Sequence, residues 1–293
     1  MNHVLLSFIE EQDPPLIFKV VLAILIAATL FLFLFVLTRG IFNFLEMAYV
    51  EFFKKKLFFN HVYVKRKKLP EDYRLILRQE FSFYNRLTDL EKKNFEHRLN
   101  HYLKSWEFIG KEIVVTNTMK ILISATAAKL TFGLRDYKIR SIDKIIIYPD
   151  EYYSTINKVM HKGEFNMAYN ALIFSWEDFK IGYDVHNDNL NLGVHECIHA
   201  MHFTFLKSRR HSTSAAVFLE SFQELTVLID ENISLKQKLI NSDYIRDYAF
   251  ENQFEFISVL VENFIETPVE FRSHFPKIYS KVKQMLNFNF AGY

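Results

Sequence analysis

Hydrophobic and polar positions divide the chain into one unbroken apolar stretch and a series of shorter, periodic segments. Val20 to Leu37 is an 18-residue run without a charge, flanked by Lys19 and Arg39. An α-helix rises about 1.5 Å per residue, so roughly 20 residues cross a bilayer core of about 30 Å. Leu16 to Thr38 has that length, with Lys19 reaching back to the interface. The stretch has no polar face, which argues against a buried core helix. A cleaved signal peptide fits poorly: Glu10, Glu11 and Asp13 precede the run in place of a basic region, and no small-residue cleavage site follows. Ile41–Asn60 is rich in Phe and ends near lysines. It reads as a helix continuing from the membrane or lying on its surface, or as an ordinary solvated helix.

Beyond residue 70 the periods change. Thr88-x-x-Glu91 has the form of a capping box, and Phe95, Leu99, Tyr102 and Trp106 then recur at helical spacing. Asn117 is placed to cap a helix over Thr118–Phe132. Lys144–Tyr148 and Ala171–Ser175 are short β-prone runs, the first stopped by Pro149. Further helices are predicted from about Leu190 onward. Helices, a small sheet, then helices make an α+β domain, mostly helical. The expected division is an outer tail (1–15), a transmembrane helix (16–38), a basic juxtamembrane helix or linker (39–70) and one domain (71–293).

Composition changes this picture in three places. Half of the 293 residues are hydrophobic, which excludes a disordered chain. A formal net charge of +2 gives no electrostatic case for direct nucleic-acid binding. Only 7 Gly and 6 Pro agree with long helices and few tight turns. Flanking charge gives the membrane orientation. Residues 1–18 contain no Lys or Arg, whereas 39–68 contain eight: Arg39, Lys54, Lys55, Lys56, Lys65, Arg66, Lys67 and Lys68. The positive-inside rule then puts the C-terminal domain in the cytoplasm, on the inner face of the cytoplasmic membrane. The single cysteine agrees with a reducing compartment.

The chemistry sits in His195-Glu196-Cys197-Ile198-His199, an H-E-x-x-H motif. Residues four apart share a helix face, so two imidazoles can meet one Zn2+. Glu196, about 100° around the helix, lies beside the open coordination position, where a carboxylate can act as general base and then acid. Leu192, Val194, Cys197, Ile198 and Met201 supply apolar faces for such a helix. Cys197 points away from the metal and reads as a packing residue. A third ligand is needed. Glu255 is the best placed, because it is the only charge in Phe254–Val261 and a lone buried carboxylate is costly. Glu251 and Glu262 fall on roughly the same face and stay open as ligands or supporting groups. His202 is about 10 Å along the axis from His195, too far to join the same ion, and reads as supporting or structural.

Four blocks resemble the Mlc titration factor A family of bacterial zinc metallopeptidases, the glucose-regulated metallopeptidases. They are Phe83-Tyr84-Asn85-Arg86-Leu87 through Glu107-Phe108; Ile145–Pro149; Ile173–Asp178 with the H-E-x-x-H helix; and Tyr248–Phe256 running on through Glu262-Asn263-Phe264 to Phe275-Pro276. The resemblance implies a zincin-like domain similar to the anthrax lethal factor protease core. It implies zinc on His195, His199 and Glu255, Glu196 as general base, and Tyr248 as oxyanion donor. Aminopeptidase-type cleavage of a peptide or protein substrate is the implied activity. In the alternative reading, the protein is a membrane tether that sequesters a transcription regulator with little hydrolysis. The chain departs from the family where His202 stands in place of a usual Asp. The strand Ala171–Ser175 is expected to offer its edge to an extended peptide.

Overall fold

The computed structural model describes residues 14–54, 57, 59–154, 158–185 and 187–293, without the side chains of 53 and 54. They fall into two compact units that meet in sequence between Tyr49 and Val50.

The first unit is helix α1 (Leu16–Tyr49), long and apolar enough to cross a membrane. Residues 16–42 are all exposed. Its two threonine side chains bond within the helix: Thr29 Oγ1 donates to the Leu25 carbonyl at 2.8 Å and Thr38 Oγ1 to the Phe35 carbonyl at 3.0 Å. That leaves neither hydroxyl needing water. The expected boundary at Thr38 is not an end of the helix. No proline or competing cap follows Thr38, and the helix continues through Gly40 and the Phe-rich segment to Tyr49.

The second unit holds the remaining elements. Helices α2 (Glu71–Glu80), α3 (Ser82–Asn85), α4 (Asp89–Ser105) and α5 (Asn117–Leu130) come first, with strand β1 (Glu107–Gly110) between the last two. Strands β2 (Lys144–Tyr148), β3 (Tyr152–Tyr153), β4 (Met160–His161), β5 (Gly163–Asn166) and β6 (Ala171–Ser175) follow. Helices α6 (Trp176–Asp184), α7 (Leu192–Ser208), α8 (Thr213–Glu231), α9 (Ile233–Ile240), α10 (Gln253–Glu266), α11 (Pro268–His274) and α12 (Pro276–Met285) complete it. The result is the expected α+β fold. The capping box forms in full, with Thr88 and Glu91 satisfying each other's backbone N–H groups at the start of α4. The cap of α5 lies one residue before the expected Asn117: Thr116 accepts from Met119 N, and Asn117 is the first helical residue.

The main sheet has the order β1-β2-β6-β5. The first three strands are parallel, and β5 lies antiparallel against β6, pairing Phe165 with Leu172 and Gly163 with Phe174. Thus β6 is an interior strand with both edges occupied, and the expectation that it receives a peptide is corrected. Among the described strands, the edges of this sheet are β1 and β5. The sequence of β6 explains its place: Ala171, Leu172 and Phe174 are fully buried, as in a strand covered on both faces.

Much of the Phe content forms the core. Phe83, Phe95, Phe132, Phe264 and Phe288 are buried and meet edge-on or tilted. The juxtamembrane segment 39–70 is not a single linker. Leu57 and Leu69 are buried in the domain core. Arg98 of α4, fully buried, ties this segment down: it donates to Tyr63 Oη at 2.7 Å, to the Asn60 carbonyl at 3.0 Å and to the Leu134 carbonyl at 2.7 Å. It also donates to the Thr131 carbonyl and lies over the Tyr137 ring. Cutting the domain at residue 71 would leave part of its core behind.

Candidate metal centre

The site is built on α7. Asn191 caps this helix, its side-chain oxygen accepting from Val194 N at 3.0 Å. Gly193 lets α6 come close: a Cβ there would stand 2.5 Å from the Phe179 ring. Cys197, Ile198, Ala200 and Met201 bury the other faces, which fixes the helix's rotation and turns His195 and His199 the same way. Their Nε2 atoms are 3.0 Å apart.

Glu255 arrives from the first turn of α10. Asn252 caps that turn, accepting from Phe254 N at 2.8 Å and Glu255 N at 3.0 Å. The Glu255 carboxylate lies 2.9 Å from His195 Nε2 and 3.5 Å from His199 Nε2. One ligand atom from each of the three residues lies within 4.8 Å of the others. These donors fit a divalent ion. His195 Nδ1 is engaged by Glu262 at 2.8 Å, which turns Nε2 toward the cluster. Two ring nitrogens 3.0 Å apart cannot both carry protons, so a shared proton or a cation must lie between them. Two neutral imidazoles and a carboxylate make a set that zinc takes.

The charges agree. Burial disfavours charge on His195, but hydrogen bonds to Glu255 and Glu262 outweigh it and push the imidazole up to about 10. Burial also opposes ionisation of Glu255, yet the two histidines hold its carboxyl well below the usual range. The Glu255 and Glu262 carboxylates thus favour positive charge at His195.

Of the other two carboxylates considered for the third ligand, Glu262 has a distinct place. It is 1 % exposed and accepts from three sides: His195 Nδ1, Arg246 at 2.7 Å and Asn191 N at 2.7 Å. Glu251 is exposed and lies outside the cluster. Asn191 also donates to Glu266 at 2.9 Å, which extends the chain of bonds away from His195. His199 has much less behind it: among the described residues its Nδ1 faces Ser258 Oγ, at 3.5 Å. His202 lies among the rings of Phe218, Phe222 and Phe254, and burial pushes it down to about 4. It is a neutral core histidine. Cys197 is fully buried, and burial raises its thiol far above the range of a nucleophile.

Glu196 is buried, and burial raises its carboxyl above the ordinary value. It accepts from Phe165 N on β5 at 2.8 Å. Gly163 makes this approach possible, since a Cβ there would meet Leu192 at 2.6 Å and Glu196 Cγ at 3.2 Å. Tyr248 stands on a short 3-10 turn, Asp247–Phe250, with its ring 5.9 Å from that of His195. Burial and the Glu255 charge push its phenol well above the ordinary value, so the hydroxyl keeps its proton and can donate.

The structure therefore brings together the five residues that the family resemblance implies: His195, Glu196, His199, Glu255 and Tyr248. Sequence reasoning missed Arg246, Ser258 and the Asn191–Glu266 bond. Of these, only Asn191 carried a signal, as a capping residue just before the motif.

Two comparisons bear on this arrangement. An uncharacterized protein, slr2042, of Synechocystis sp. (strain ATCC 27184 / PCC 6803 / Kazusa) is 22% identical over 240 residues, covering 75% of this chain and 84% of that protein. Residues 54–287 match a metallopeptidase family, and this span begins before the expected domain boundary and contains the whole cluster. The chain belongs to the glucose-regulated metallo-peptidase M90 family.

Proposed function

We propose that this protein is a membrane-anchored zinc peptidase, its domain facing the cytoplasm, that removes residues from peptides in the aminopeptidase manner. The observation that carries the reading is the convergence of His195, His199 and Glu255 beside a buried Glu196. When bound, zinc supplies a Lewis acid that acidifies water to a pKa of about 7 and polarises the scissile carbonyl. Glu196 takes the proton from the attacking water and hands it to the leaving amine. Its raised pKa suits both halves of that exchange. The Phe165 N–H holds the carboxylate in place meanwhile. Tyr248, protonated, donates to the oxygen on which negative charge develops. The membrane reading rests on α1 and on the Lys/Arg excess after it.

The test uses the full chain in lipid nanodiscs, with metal analysis and two substrate sets, aminoacyl p-nitroanilides and quenched peptides with free or acetylated N-termini. Glu196→Gln is expected to keep the metal and lose at least about 10³ in kcat, following the scale of general-acid/base losses. Hydrolysis confined to free N-termini supports the aminopeptidase manner, and cleavage of acetylated peptides rejects it. Full metal with no hydrolysis above that of Glu196→Gln would sink the peptidase reading and favour a tether that binds a regulator.

A further inference from the structure

Two cavities flank the metal-binding cluster, and their chemistry differs. The first, about 290 Å³, lies toward the start of α7 and is bordered by His195, Glu196, Tyr248, Lys162, Asp178 and Arg246. The second, about 460 Å³, lies toward the end of α7. His199 and Glu255 form its inner wall, and five apolar side chains line the rest: Phe165, Met167, Phe203, Leu206 and Phe254. Among the described residues lining it, the only other polar side chain is Asn252. Met167 and Leu206 are exposed at its mouth. Phe165 and Phe203 stand with their rings 5.8 Å apart. Exposed apolar side chains around a concavity cost free energy unless something apolar enters.

The position of Glu196 orients a substrate between these cavities. The carboxylate that protonates the leaving amine must lie on the amine's side of the scissile bond. Glu196 borders the charged cavity and not the apolar one. The leaving residue therefore occupies the charged side, and the residue that supplies the carbonyl occupies the apolar side. Strand β5 agrees independently. It runs from Gly163, at the charged cavity, to Phe165, at the apolar one. The Lys162 carbonyl accepts from Ser175 N on β6, while the Phe165 N–H points away from β6, to Glu196. A peptide oriented by Glu196 runs antiparallel to β5, the direction in which paired backbones hydrogen-bond best.

Resting on the peptidase reading, we infer that the cavity of Phe165, Met167, Phe203, Leu206 and Phe254 is an acyl-side specificity subsite, which takes a large apolar side chain N-terminal to the scissile bond. Substrates are then peptides with Leu, Phe or Met at that position, and acidic residues are excluded because their carboxylates would be desolvated beside Glu255.

The experiment uses the full chain in nanodiscs and short peptides that differ only in the residue supplying the scissile carbonyl: Phe, Leu, Lys or Asp. Mass spectrometry of the products fixes the cleaved bond. The expected kcat/KM for Phe and Leu exceeds that for Asp by at least about tenfold, within the range apolar pockets discriminate. Leu206→Glu, on α7, and Met167→Glu, just after β5, alter the cavity from different segments, and both positions are exposed enough to accept a charge. Each is expected to reverse the preference toward Lys while metal content stays equal to the parent's. A second readout is independent of turnover. Fluorescein-labelled Phe and Asp peptides are titrated into Glu196→Gln protein, with and without Leu206→Glu, by fluorescence polarisation. Tighter binding of the Phe peptide, abolished by Leu206→Glu, supports the subsite even if no hydrolysis is found. Equal binding of the two peptides, equal kcat/KM across the four, or a preference that tracks the residue after the cleaved bond would overturn it.

Discussion

His195 and His199 are one helical turn apart and face the same three-residue cluster, yet their surroundings are unlike. His195 is backed by the Glu262 carboxylate at 2.8 Å, and Glu262 is itself held by Arg246 and by Asn191 N. His199 is backed by a serine hydroxyl at 3.5 Å, too long for a strong bond. The helix gives both imidazoles their position, but only one is fixed in tautomer and strengthened as a donor by a charge. The cavities repeat the asymmetry, charged on the His195 side and apolar on the His199 side. A symmetric motif in sequence has become a polarised site because the elements packed against its two ends differ.

Substitutions behind the two histidines measure this inequality. The largest effect is expected from Glu262→Gln, which keeps the shape but removes the charge from His195. Metal affinity, read by competition with a chromophoric chelator, should fall by roughly 10- to 100-fold. A change below twofold would mean that His195 needs no charged support. The next effect is on stability and lies at the far end of the same chain of bonds. Burial raises Glu266 to about 7 in the folded protein, against 4.5 for the free carboxyl, and the nearby Glu262 and Asp188 charges add to this while Asn191 opposes it. The folded state then holds the proton more tightly than the unfolded state, so stability falls as pH rises from about 4.5 to about 7. Allowing for partial exposure, the loss is roughly 1–2 kcal/mol. Thermal melts of the parent at pH 5 and pH 7.5 should show it, and Glu266→Gln should flatten the slope. A steeper slope in that variant would contradict the assignment. The smallest effect belongs to Ser258→Ala, which removes the weak contact to His199. Metal affinity should change by less than about threefold, because a strained hydroxyl contact contributes little. If Ser258→Ala matched Glu262→Gln, the comparison would collapse.

How much of this was legible in the sequence depended on whether the signal was local. The apolar run, the capping box at Thr88 and the H-E-x-x-H helix are written in neighbouring residues, and the structure reproduces each. Glu255 was legible for a physical reason, as one carboxylate amid apolar residues that needs a partner. Glu262 was legible only as a residue on the right face, since its place behind His195 depends on how α10 crosses α7. Tyr248 had no signal beyond the family resemblance. The edge strand was read wrongly because being an edge is a property of the sheet. The successive apolar residues of β6 already had the look of an interior strand, while Gly163–Asn166 is short, carries a glycine and has little β propensity of its own. The cavity beside His199 was invisible because Phe165, Phe203 and Phe254 come from three separate elements.

Arg98 has a bearing on where this enzyme begins. No carboxylate is among the partners described for its fully buried guanidinium, which is satisfied by carbonyls, a phenol and His61, several of them contributed by residues 60–63. Removing that segment exposes a cation designed for the interior and strips it of acceptors at the same moment, so the loss is felt well beyond the deleted residues. The stretch between α1 and α2 is therefore no spacer to be trimmed at will. A protease that severed the chain after Tyr63 would part the domain from three acceptors of Arg98, whereas a cut before Val50 would leave them with it.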